Sequence, residues 1–81
     1  MPKTDPLELL NQAVNVVRSA GHECSGWTLQ ANDDGYAAWL FDENDEGQTS
    51  LFEHVEVVST AEAAARWVLA QAQDLAGDGV G

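Results

Sequence analysis

The stretch Glu56–Leu75, EVVSTAEAAARWVLAQAQDL, constrains the fold more than any other part of the chain. It reads as the end of a strand running into a helix. Val55, Val57 and Val58 are β-branched and favour extended backbone. Ser59 or Thr60 then offers a side-chain oxygen to an orphan amide, and Glu62 suits the positive end of a helix. At about 100° per residue, Ala61, Ala64, Ala65, Val68, Ala72 and Leu75 fall on one stripe. Small side chains on that stripe let the helix lie close to a sheet. The chain upstream must therefore supply that sheet.

Asp5-Pro6-Leu7-Glu8 has the chemistry of a helix start. Asp caps, Pro fits the first helical position, and Glu8 stands three residues after the cap. Leu7, Leu10, Ala13, Val14, Val17 and Ala20 share one face, widened by Leu9 and Val16. Gly21 ends the helix, because glycine accepts a left-handed conformation. Trp27 to Ala31 alternates as a half-buried strand does, and Tyr36 to Asp42 forms a second strand. Between them, a three-residue loop Asp33-Asp34-Gly35 pairs Asn32 with Tyr36. That register sets Trp27 opposite Phe41, Leu29 opposite Trp39 and Ala31 opposite Ala37, with the large rings on one face. Tyr36 and Leu40 then face outward beside Asp42.

Asp42 to Gly47 is an acidic turn, and Thr49 to Val58 is a third strand. Leu51, Val55 and Val57 share one side of that strand and Phe52 and Val58 the other, so a bulge near Glu53-His54 is expected. The expected fold is α+β with two layers. A three-stranded antiparallel meander packs against two helices in the order α-β-β-β-α, helices near 6–20 and 60–75. One domain spans residues 1–76, and residues 77–81 form a flexible tail.

This order resembles the double-stranded RNA-binding domain. DPLELLNQ is similar to that family's opening helix and STAEAAARWVLAQAQDL to its closing one, so the resemblance covers about residues 5–75. It implies the family's fold. The family begins its last helix with a serine followed by lysines that grip phosphate. Here Ser59 is followed by Thr60 and Ala61, and Ala64 stands where another lysine is expected. The histidine-bearing loop between the family's first two strands is replaced by Asn32-Asp33-Asp34-Gly35. None of the RNA-contacting residues carries over.

Charge separates this chain further from nucleic-acid binders. Fourteen acids face three bases, Lys3, Arg18 and Arg66, for a net charge of −11. No Lys or Arg interrupts the run from Arg18 to Arg66, which holds ten acids. Such a surface repels phosphate and attracts basic partners, so no direct nucleic-acid binding is expected. The single cysteine, Cys24, excludes an internal disulfide framework and fits a reducing compartment. With no long apolar run and no leader-like start, a cytoplasmic protein without membrane contact is expected.

Candidate sites are few. Asp42, Asn44, Glu46, Gly47, Ser50 and Glu53 occupy positions 1, 3, 5, 6, 9 and 12 of an EF-hand-like loop. Glu46 is long for its position, Thr49 replaces the usual branched apolar residue, and Val55 to Val58 favours strand over an exiting helix. His22, Cys24 and His54 lack zinc-ligand spacing, and no nucleophile, base and orienting acid stand in a recognisable pattern. Neither a cofactor site nor an enzymatic activity is expected. The expected function is a non-enzymatic protein-binding module for a basic partner. Small acidic proteins of this kind resemble nucleic-acid mimics, such as phage-encoded inhibitors of host defence, or antitoxins that cap a basic toxin. Its binding residues are expected to be Asp33, Asp34, Asp42 and Glu43, with Tyr36, Leu40 and Trp67 as anchors. A calcium-binding protein using residues 42–53, or a homodimeric structural protein, is the alternative.

Overall fold

The computed structural model describes residues 5–78. It has two helices and a three-stranded antiparallel sheet in the order α1 (Pro6–Ser19), β1 (Gly26–Asn32), β2 (Gly35–Asn44), β3 (Gly47–Ser50) and α2 (Ala61–Asp78). The sheet order is β1-β2-β3. The helices pack mainly on each other and together cover one face of the sheet, α1 over β1 and α2 over β2.

Local chemistry sets the ends of both helices. The Leu7 amide donates to Asp5 Oδ1 at 2.9 Å, so Asp5 caps α1 with Pro6 behind it. At the other end Gly21 adopts φ +94°. Its amide donates to the Arg18 carbonyl, and the His22 amide to the Val17 carbonyl, both at 3.0 Å. These two bonds close a Schellman motif. Thr60, not Ser59, caps α2, its hydroxyl accepting from the Ala63 amide at 3.0 Å. The helix runs through Gly77 to Asp78, beyond the expected start of the tail. A glycine in the last turn weakens a helix without forbidding it. The remaining tail residues, 79–81, lie outside the described residues.

The core holds Leu9, Leu10, Ala13, Val14 and Val17 of α1 against Ala64, Ala65, Val68 and Ala72 of α2, with Ala38, Leu40 and Phe52 beneath. The alanines bring the helices close to each other and to the sheet. Leu7, expected on the buried face, is 47% exposed, and Leu9 is buried instead.

The first hairpin corrects the expected register. Asn32 pairs with Gly35, so the loop is the two residues Asp33 and Asp34. Trp27 lies opposite Leu40, Leu29 opposite Ala38 and Ala31 opposite Tyr36. A shift of one residue turns each β2 side chain to the other face. Leu40 and Ala38 enter the core at 0% and 1% exposure, and alternation sends Trp39 and Phe41 outward. Two small or slender side chains fit beneath alanine-rich helices where two large rings would not.

The third strand is shorter than expected. β3 ends at Ser50, although the Leu51 amide still donates to the Leu40 carbonyl at 2.9 Å. The chain then leaves the sheet and returns as a single bridge, Val58 to Tyr36. From Leu51 to Val58 the chain takes seven steps while β2 takes four, from Leu40 to Tyr36, a surplus of three residues. The expected bulge is thus a wide excursion over 52–57.

Candidate functional site

Two surfaces outside the core gather side chains of the expected kinds. The first is the sheet face turned away from the helices. By strand alternation it carries Thr28 and Gln30 of β1 with Ala37, Trp39, Phe41 and Glu43 of β2. Trp39 and Phe41 are half-buried. Trp39 also packs against the core cluster, and the Phe41 ring lies over Gly26. Acidic turns stand at both ends of β2. Asp33 and Asp34 close one hairpin, Asp45 and Glu46 the other, and all four are exposed.

Ser25 organises the second of these ends. Its amide donates to the Phe41 carbonyl at 2.8 Å, its hydroxyl donates to Asp42 Oδ1 at 3.3 Å, and its Oγ accepts from the Glu43 amide at 2.8 Å. Asp42 is thereby held at the hairpin base and Glu43 is turned to solvent. Asn44 Oδ1 accepts from the Glu46 amide at 2.9 Å and sets the tip.

The second surface is a groove of about 440 Å³ between the 52–57 excursion and α2. Trp67 and Phe52 meet there edge to face, with ring centroids 5.4 Å apart and an interplanar angle of 84°. Phe52 is 9% exposed. Trp67 is half-buried, with Leu51 and Leu75 beside it. The exposed carboxylates of Glu53, Glu56 and Asp74 also line the groove.

The expected binding residues therefore separate. Asp33, Asp34 and Glu43 are exposed and Asp42 is half-buried. Trp67 lines the groove, away from the sheet's outer face. Leu40 is fully buried, and Tyr36 lies on the core side with Val58 across from it. Their expected outward placement is thus corrected, by the same one-residue register shift. Trp39 and Phe41 take that outer position. Parity alone places them there once the loop is read as two residues.

The described cations are engaged locally. Arg18 Nε donates to the Cys24 carbonyl at 2.8 Å and its Nη2 to the Ser25 carbonyl at 3.4 Å. Arg66 Nε meets Glu62 Oε2 at 3.5 Å, the one ion pair among the described residues. Both partners there are well exposed, and such a pair contributes little to stability.

The calcium-loop positions are drawn out along a hairpin. Asp42 pairs with Thr49 and Asn44 with Gly47, while Glu53 belongs to the excursion. Among the described residues no three His, Cys, Asp or Glu side chains gather as a metal-binding group. His22 Nε2 instead meets the Leu75 carbonyl at 3.3 Å, and Cys24 Sγ donates to the Gly26 carbonyl at 3.4 Å. Burial pushes the Cys24 thiol pKa up, against smaller lowering contributions from the Gly26 bond and Arg18. That is the opposite of an activated nucleophile. Among the described residues no helix is long and apolar enough to cross a membrane.

Comparison with known protein families, with curated proteins and with solved structures returns no match to this chain.

Proposed function

We propose that this chain is a double-stranded-RNA-binding-domain-like frame serving as a small acidic, non-enzymatic module that binds a basic protein. The α-β-β-β-α order with both helices on one sheet face supports the frame. The observation that carries the function is the outer sheet face. There Trp39 and Phe41 lie on a strand whose two ends bear acidic turns, and the described arginines bond within the chain, Arg18 to the Cys24 and Ser25 carbonyls beside Asp42 and Arg66 to Glu62. Carboxylates of this kind steer a cationic partner and fix its orientation, while desolvated aromatic rings supply affinity. An inhibitor or nucleic-acid mimic would need the same combination, because a protein evolved to hold phosphate offers arginines and lysines.

The test is binding kinetics on the partner captured from source lysate at two salt concentrations. Neutralising Asp33, Asp34, Asp42 and Glu43 together to Asn or Gln should slow association and flatten its salt dependence. Phe41→Ala should instead speed dissociation, by about 2 kcal/mol or more at a true hot spot. Salt-insensitive association unchanged by the four-fold neutralisation would overturn the reading. In a mobility assay the protein should leave double-stranded RNA and DNA unshifted at physiological salt.

A further inference from the structure

We infer that the groove between the 52–57 excursion and α2 is a receptor for a single arginine side chain presented by a basic protein. This rests on the proposed class of partner, but it concerns a different surface from the outer sheet face. Trp67 and Phe52, locked edge to face, line the groove together with Leu51 and Leu75. Its lining also includes three exposed carboxylates from two separate segments, Glu53 and Glu56 of the excursion and Asp74 of α2. No Lys or Arg among the described residues lines it. Arg18 is spent on the Cys24 and Ser25 carbonyls, and Arg66 on Glu62.

Aromatic rings and carboxylates lining one groove suit guanidinium more than any other common side chain. The planar cation lies against an indole while its fork of N–H donors reaches carboxylate oxygens. It is also weakly hydrated, so leaving water for a half-apolar groove is less unfavourable than for an ammonium. A volume near 440 Å³ accommodates one long side chain with part of its backbone. The groove opens where the chain has three residues in surplus over β2, so a bound side chain need not displace the sheet.

The experiment uses the full chain and a blocked Gly-Arg-Gly peptide in mildly alkaline buffer. Amide chemical shifts are followed during titration, together with tryptophan fluorescence. Saturable shifts centred on residues 51–56 and 67–75 are expected. The citrulline peptide, the neutral isostere, should bind at least about tenfold more weakly, as loss of a charge-assisted hydrogen bond implies. The E53Q/E56Q variant, altered only at exposed side chains, should keep its fold and lose most of the arginine preference. Equal binding of arginine and citrulline, or the absence of saturation, would overturn the assignment. Lysine binding as tightly as arginine would overturn its specificity. Shifts confined to Thr28, Trp39 and Phe41 would also overturn it, while leaving the outer-face reading standing.

Discussion

The chain turns twice on nearly the same residues. Asn32-Asp33-Asp34-Gly35 joins β1 to β2, and Asn44-Asp45-Glu46-Gly47 joins β2 to β3. In each, Asn pairs with Gly across a two-residue acidic loop, and the glycine takes a positive φ, +146° at Gly35 and +121° at Gly47. Their surroundings differ. A Cβ at Gly35 would collide with the Val58 carbonyl, whereas a Cβ at Gly47 would meet nothing within 4 Å. The first turn is clamped beneath the segment that leads into α2, and the second projects into solvent. Turn residues thus specify local geometry, and the neighbour decides what a change in them costs.

The largest expected effect comes from adding one methyl group to each glycine. Gly35→Ala should lose roughly 3–5 kcal/mol, combining backbone strain with overpacking against Val58. Gly47→Ala should lose only the strain, roughly 1–3 kcal/mol. Urea unfolding of both variants checks this, and equal losses would break the comparison. Phe52→Ala removes the buried ring that ties the excursion to Trp67, for about 3 kcal/mol. If the clamp on the first turn depends on that tie, amide exchange should quicken at Tyr36 and Val58 and stay unchanged at Asn44–Gly47. Thr60→Ala removes the cap two residues beyond the bridge, for about 1 kcal/mol, measured by the same unfolding curves. Thr60→Ser should recover most of it.

The smallest effect is a pH dependence from Cys24, which is buried near the base of the second hairpin. Its thiol pKa is raised in the folded state by burial, so the folded state holds that proton more tightly. The associated stability is fully present below the ordinary thiol range and fades as pH rises through the folded value. Urea midpoints should therefore drift down on the alkaline side. Cys24→Ala should remove that part of the drift, and an unchanged drift would assign it to other groups.

The helices were legible because their determinants are local. Asp5, Pro6 and Gly21 specify α1, and the alanine stripe of α2 faces the core as its spacing implies. The register between β1 and β2 was not, because Asn32-Asp33-Asp34-Gly35 is compatible with loops of two or three residues. Burial of Ala38 and Leu40 beneath the helices decides it, and that is a tertiary fact. The same gap hid Trp39 and Phe41 as outer-face residues and misplaced Tyr36 and Leu40. Beyond Ser50 the conflict was visible, since Leu51 and Val58 differ in parity yet both pack inward. Three surplus residues resolve it. The size of the excursion depends on where Phe52 finds Trp67, which no pattern along the strand reports.

That surplus has a meaning over evolutionary time. The excursion is fixed at both ends, by Leu51 to Leu40 and by Val58 to Tyr36. Between them, residues 53, 54, 56 and 57 are exposed. Closing a loop becomes only slowly less favourable as it lengthens, roughly 0.6 kcal/mol per doubling. Descendants of this chain can gain, lose or exchange residues between Phe52 and Val58 while the alanine-lined core stays as it is. The groove wall can therefore diversify faster than the frame that carries it.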